Sequence, residues 1–118
     1  MLIRIDPSRP APLHEQIDAG VRRAIAAGEV ADGERLPSAR ELAAALDVNV
    51  HTVLRAYGEL RDDGLIELRR GRGAVVRAGD AQRRRLAVAE RARELVAFAR
   101  RQGVSDGEVV ELVKEAQC

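Results

Sequence analysis

At 118 residues the chain has room for one compact domain, or for one domain with a small appendage. Apolar residues make up 46% and aromatics only 2%, so a core must be built from Leu, Val, Ile and Ala, and the many Ala and Arg residues favour helix. A formal net charge of +1 excludes total charge as an argument for a nucleic-acid partner, leaving the placement of the charges to carry any such argument.

Residues 1–12 read as extended, because Pro7, Pro10 and Pro12 exclude a helix interior, and Leu2, Ile3 and Ile5 suit a short strand. Pro12 fits a first helical position. Leu13, Ile17, Val21, Ala24 and Ile25 follow as an apolar stripe at helical spacing, with Gly28 as the stop. Ala31-Asp32-Gly33-Glu34 is a turn leading to Leu36-Pro37. Ser38 with Glu41 three residues later matches a capping box and opens a short helix that turns Leu42, Ala43 and Leu46 inward.

Asp47-Val48-Asn49 makes the break, and Asn49 caps a helix over 50–63. Val53, Tyr57 and Leu60 form its apolar line, while Asn49, His51, Thr52 and Arg55 gather on the other side near its N-terminus. Gly64 ends it. Two short strands, 65–69 and 74–77, are joined by an Arg-Gly-Arg-Gly turn. A lone hairpin is marginal in water, so this one must lean on the helices through Leu65, Ile66 and Val75. Arg69, Arg70, Arg72 and Arg77 cluster around it.

Composition shifts at Gly79-Asp80. Asp80 reads as the cap of a long helix carrying Leu86, Ala89, Ala92, Val96 and Ala99 along one side. Gly103 ends it. Ser105 and Glu108 form a second capping box for a last helix with Val109, Leu112, Val113 and Ala116 on one face. Two such helices cannot close a core alone, so their stripes must pack on the first domain or on another subunit. The expected architecture is therefore mainly α: a winged helix-turn-helix domain over residues 1–78, with three helices and a small β-hairpin wing, then a two-helix dimerisation segment over 79–118. The residues expected to serve dimerisation are Leu86, Ala89, Val96, Phe98, Val109, Leu112 and Val113.

The chemistry points to DNA. The start of the 50–63 helix offers free backbone N–H groups and a positive dipole end, which favour phosphate. Asn49, His51 and Thr52 can reach base edges or phosphates, and Arg55 can fork onto guanine. At the hairpin tip, Gly71 and Gly73 let the backbone approach a narrow groove while Arg70 and Arg72 seek its negative potential. Arg22, Arg23 and the Arg83-Arg84-Arg85 run read as solvated surface, Asp62-Asp63 as a solvated helix end, and Tyr57 as core with its hydroxyl at the surface. His14 has no second ligand at metal spacing. No metal, cofactor or catalytic arrangement is expected, since the glycines at 71 and 73 lack the helix and Lys-Ser/Thr of a phosphate loop. Cys118 cannot form an internal disulfide, no apolar run reaches the ~20 residues needed to span a bilayer, and MLIRIDPSRPAP lacks a signal-peptide core. A cytoplasmic protein with no membrane partner is expected.

From Pro12 to Val76 the chain resembles the DNA-binding domain of the GntR family of bacterial transcription regulators. Pro12-Leu13, Glu15-Gln16-Ile17, Gly33, Leu36-Pro37-Ser38, Arg40-Glu41-Leu42-Ala43, Gly64-Leu65-Ile66 and Gly71-Arg72-Gly73 carry the likeness. The run from Val48 to Tyr57 is similar to the YtrA-type subfamily, as is the short two-helix tail. The resemblance implies DNA contacts at Arg40, Thr52, Arg55 and Arg70-Gly71-Arg72, and with the polar helix start the candidate DNA-binding set is Ser38, Arg40, Asn49, Val50, His51, Thr52, Arg55, Arg70, Gly71 and Arg72. Val50 and Leu54 depart from it, standing where many members carry Arg or another polar residue, so Val50 would instead meet a thymine methyl. It also implies a homodimeric repressor on a two-fold symmetric double-stranded operator, with room in the tail for an unidentified small-molecule effector. A protein-interaction module built on the same fold stands as the alternative, and a near-neutral total charge permits it.

Overall fold

The computed structural model describes residues 2–70 and 73–118. Its elements are α1 (Leu13–Ala26), α2 (Ala39–Leu46), α3 (Val50–Asp62), β1 (Ile66–Arg69), β2 (Gly73–Val76), α4 (Asp80–Arg101) and α5 (Asp106–Ala116). Three helices and a hairpin thus precede two further helices, as the sequence pattern requires.

The core forms where three apolar stripes meet. α1 brings Ile17, Val21, Ala24 and Ile25; α3 brings Val53, Ala56, Tyr57 and Leu60; the hairpin adds Ile66, Ala74 and Val76. Each fully buried aliphatic side chain contributes about 1.5–3 kcal/mol, so this cluster dominates the stability of the molecule.

The N-terminal segment departs from expectation. Leu2, Ile3 and Ile5 form no strand. Ile3 is instead buried against Gly20, where an added Cβ would lie 3.2 Å from its Cγ2. The side-chain amide of Gln16, itself buried, replaces the missing strand partner. Its Oε1 accepts from the Asp6 N–H at 2.7 Å, and its Nε2 donates to the carbonyls of Asp6 (3.0 Å) and Ala11 (2.9 Å). Among the described residues no strand lies beside this segment to pair with, so a side chain secures it. Pro12 serves as the N-cap residue of α1, one position before the expected site.

Capping holds α2 and α3 at a fixed angle. Ser38 Oγ accepts from the Glu41 N–H at 3.1 Å. α2 ends at Asp47, whose φ of 54° is left-handed, and Val48 N–H then returns to the Ala43 carbonyl at 3.0 Å. Asp is among the few residues that adopt this conformation with little strain. Asn49 Oδ1 accepts from the His51 N–H at 2.8 Å and starts α3. Three linking residues, each tied down, leave little freedom between the helices.

β1 and β2 pair antiparallel from Ile66↔Val76 to Arg69↔Gly73, so β2 begins and ends one residue earlier than expected. The hairpin also has a third backbone partner. Gly33 N–H donates to Val76 O (2.8 Å), Val76 N–H to Glu34 O (2.8 Å) and Leu36 N–H to Ala74 O (2.9 Å). The segment read as a simple turn therefore pairs with the open edge of β2, which removes the weakness of a two-stranded ribbon.

α4 starts with Gly79 as N-cap, and Asp80 is its first helical residue where the sequence suggested the cap. There Asp80 still complements the helix dipole. Asp32 Oδ1 accepts from Ala78 N–H at 3.0 Å and ties the start of α4 to the 31–34 turn. Arg22 is no solvated bystander: its side chain is 19% exposed and its guanidinium joins Asp18 to Asp63 at the end of α3. Burial pulls this guanidinium down, but the bonds to Asp18 and Asp63 outweigh it and hold it above its ordinary value. α5 folds back on α4, burying Ala99 and Val109. Ser105 Oγ accepts from Glu108 N–H at 3.2 Å, and Arg100 forks onto Asp106 at 3.1 and 2.8 Å. No helix among the described residues is long and apolar enough to cross a membrane.

Candidate nucleic-acid interface

Periodicity decides what α3 can offer a ligand. With Val53, Ala56, Tyr57 and Leu60 turned into the core, His51, Leu54 and Arg55 face solvent and Val50 and Thr52 are half-buried. Asn49 is exposed, but its Oδ1 is engaged as the cap, leaving its amide N–H groups to donate outward. The Arg55 side chain is 68% exposed.

Tyr57 links this helix to its neighbour. Its hydroxyl was expected at the surface; instead it donates to the Pro37 carbonyl at 2.7 Å, one residue before the Ser38 cap. Burial, and secondarily the charge of Glu41, pushes the phenol well above its ordinary value. The bond sets the start of α2, and with it Arg40, against α3. Arg40 is exposed and has no ion pair among the described residues, whereas the Ser38 hydroxyl is half-buried and committed to Glu41 N–H.

The arginines of the hairpin do not act as one cluster. Glu67 accepts from Arg69 at 3.1 and 3.2 Å and from Arg77 at 2.8 Å. These bonds, Arg69 first, hold its carboxyl below the usual range. Arg70 is exposed and carries no ion pair among the described residues. Gly71 and Arg72 lie outside the described residues.

The tail residues also separate. Phe98, Val109, Leu112 and Val113 line one apolar cleft of about 310 Å³ between α4 and α5, together with Leu95. Phe98 is 53% exposed there. Leu86 packs on the core of its own chain, Ala89 lies beside Arg22 and Arg85 in another cleft, and Val96 is half-buried. Leu95 was missed by the sequence reading, although its position three before Phe98 marks the same helical face. No group of three His, Cys, Asp or Glu among the described residues could hold a metal ion.

Residues 13–76 match the family model described as bacterial regulatory proteins, gntR family. Over 75 residues the chain is 41% identical to the HTH-type transcriptional repressor YtrA of Bacillus subtilis, an alignment covering 64% of this chain and 58% of that protein. The chain thus spans little more than half the length of that relative. A GntR family transcriptional regulator from Listeria monocytogenes superposes with a TM-score of 0.69 at 29% identity, covering 94% of this chain and 98% of the other. The DNA-binding domain of AraR, solved in complex with operator ORX1, matches 62% of this chain and 90% of its own at 25% identity and a TM-score of 0.56. A helix-turn-helix with its wing, matched in both sequence and fold, places the chain in the GntR family of bacterial transcription regulators, on its YtrA-like branch.

Proposed function

We propose that the chain is a cytoplasmic repressor that binds a two-fold symmetric DNA operator as a homodimer. The observation that carries this reading is the state of α3: its apolar side is fully spent on the core, and its N-terminal half leaves His51, Leu54 and Arg55 to solvent beside a capped, amide-rich helix start. Such a helix suits a major groove, where Arg55 forks onto guanine and Val50 meets a thymine methyl. Arg40 and Arg70, with no carboxylate partner among the described residues, are the groups for flanking phosphates; Arg72 extends that role beyond the described residues. Asn49 and Thr52 donate to the backbone at the helix start.

The relative YtrA is a named repressor, which supports the direction of regulation. The apolar cleft between α4 and α5 supports pairing of two copies, which doubles the contacts and places half-sites ~10 bp apart or a multiple of that. The test begins by recovering bound duplexes from fragmented genomic DNA and reading their consensus. Arg40→Ala should then weaken binding to the recovered duplex about tenfold in an anisotropy titration, and a wild-type affinity would overturn its role. The exposed Leu54 favours a second reading, a protein-interaction module. Affinity for DNA that does not respond to salt would select it, because phosphate contacts release counterions.

A further inference from the structure

Behind Arg55 lies a contact that DNA binding as stated leaves unused. Glu59 follows Arg55 by one turn of α3, and its Oε1 lies 4.0 Å from Arg55 Nε. The same oxygen lies 3.4 Å from Nδ1 of His14, in the first turn of α1. The His14 side chain is only 12% exposed. Its buried Nδ1 makes no hydrogen bond of good geometry, the approach to Glu59 falling short of one. A carboxylate, 40% exposed on a helix meant for a polyanion, is unfavourable by simple charge repulsion unless it does something for its neighbour.

What it does follows from which nitrogen it approaches. Glu59 approaches Nε at 4.0 Å, and that approach leaves both Nη groups available to a second partner as a fork. A guanine edge requires that fork in one plane and one direction, whereas a phosphate accepts an arginine from many directions. A free arginine side chain carries rotamer entropy that ordering removes. A carboxylate seated beside the buried His14 ring, 3.4 Å from its Nδ1, biases the arginine before DNA arrives. We infer that Glu59, backed by His14, is a positioning residue that aims Arg55 at a base, and thereby determines specificity more than affinity for DNA in general. This inference rests on Arg55 touching DNA as proposed above.

The test compares Glu59→Gln with wild type on two duplexes, the selected operator and a random sequence of equal length, by anisotropy. Loss of aim should weaken operator binding about fivefold, the scale of one exposed ion pair, while random DNA binds equally well or tighter because a negative charge has gone. His14→Phe, which keeps the ring volume and removes the nitrogen, should shift operator binding in the same direction by less. In an Arg55→Ala background, Glu59→Gln should weaken operator binding no further. Equal tightening on both duplexes would show that Glu59 is only a repelling charge and would overturn the inference, as would a persistent operator loss in the Arg55→Ala background. Wild-type operator affinity in Arg55→Ala alone would instead refute the underlying contact.

Discussion

Leu60 of α3 and Phe98 of α4 both sit on amphipathic helices, yet Leu60 is fully buried and Phe98 is 53% exposed. The contrast extends to their regions. Helices α1 to α3 and the wing enclose a core around Ile17, Val21, Val53, Leu60 and Val76, all at 0% exposure. α4 and α5 bury only Ala99 and Val109, while Leu95, Phe98, Leu112 and Val113 stay at least 40% exposed. Three helices and a supported hairpin can surround a volume; two helices present one face each and cannot. The first region is closed by its own residues with Leu86 of α4 packed against it, and the second leaves an apolar face exposed.

That contrast can be broken by mutation. Leu60→Ala, which opens a cavity in the closed core, should lower unfolding free energy by about 3 kcal/mol in a urea titration; a loss below about 1 kcal/mol would mean the core is not where the stability lies. Gln16→Ala removes three part-buried hydrogen bonds to the backbone of Asp6 and Ala11, so it should cost about 1–2 kcal/mol. An N-terminal segment that stays protected from proteolysis in this variant would contradict the clamp.

Phe98→Ser sharpens the comparison from the other side. Its ring is half in water already, so monomer stability should change by no more than about 0.5 kcal/mol, while sedimentation velocity should show self-association lost if this face joins two copies. Unaltered association would move the interface elsewhere. The smallest effect concerns Glu67. Its folded carboxyl lies below the ordinary value of 4.5, so its contribution is present above that pH and is lost as pH falls through the folded value. Acid should therefore release Arg69 and Arg77 and soften the hairpin first, with its amides exchanging faster than those of α1; uniform behaviour of both would count against a local effect.

Much of the DNA-binding region was legible because its signals are local. The Ser38 and Asn49 caps, the apolar periods of α1 and α3, and the Gly64 stop each depend on residues within a turn of one another, and helix caps and stripes need nothing farther away. Leu95 was equally local and was overlooked. The Asp80 and Pro12 positions were misplaced by one residue, a small error because either neighbour can serve as the cap.

The unreadable features all join residues distant in sequence. Gln16 capturing Asp6 and Ala11, Tyr57 bonding Pro37, Arg22 bridging Asp18 to Asp63, the 33–36 segment pairing with β2, and Glu67 binding Arg77 have no signature in spacing, since a side chain's partner depends on what folding brings beside it. The chain's own order of apolar and capping residues determined which segments become helices and which of their sides turns inward. Only the tertiary structure decided that Arg22 reaches Asp63 and that Arg77 reaches Glu67, because those partners lie 41 and 10 residues away and are brought together by packing and not by period.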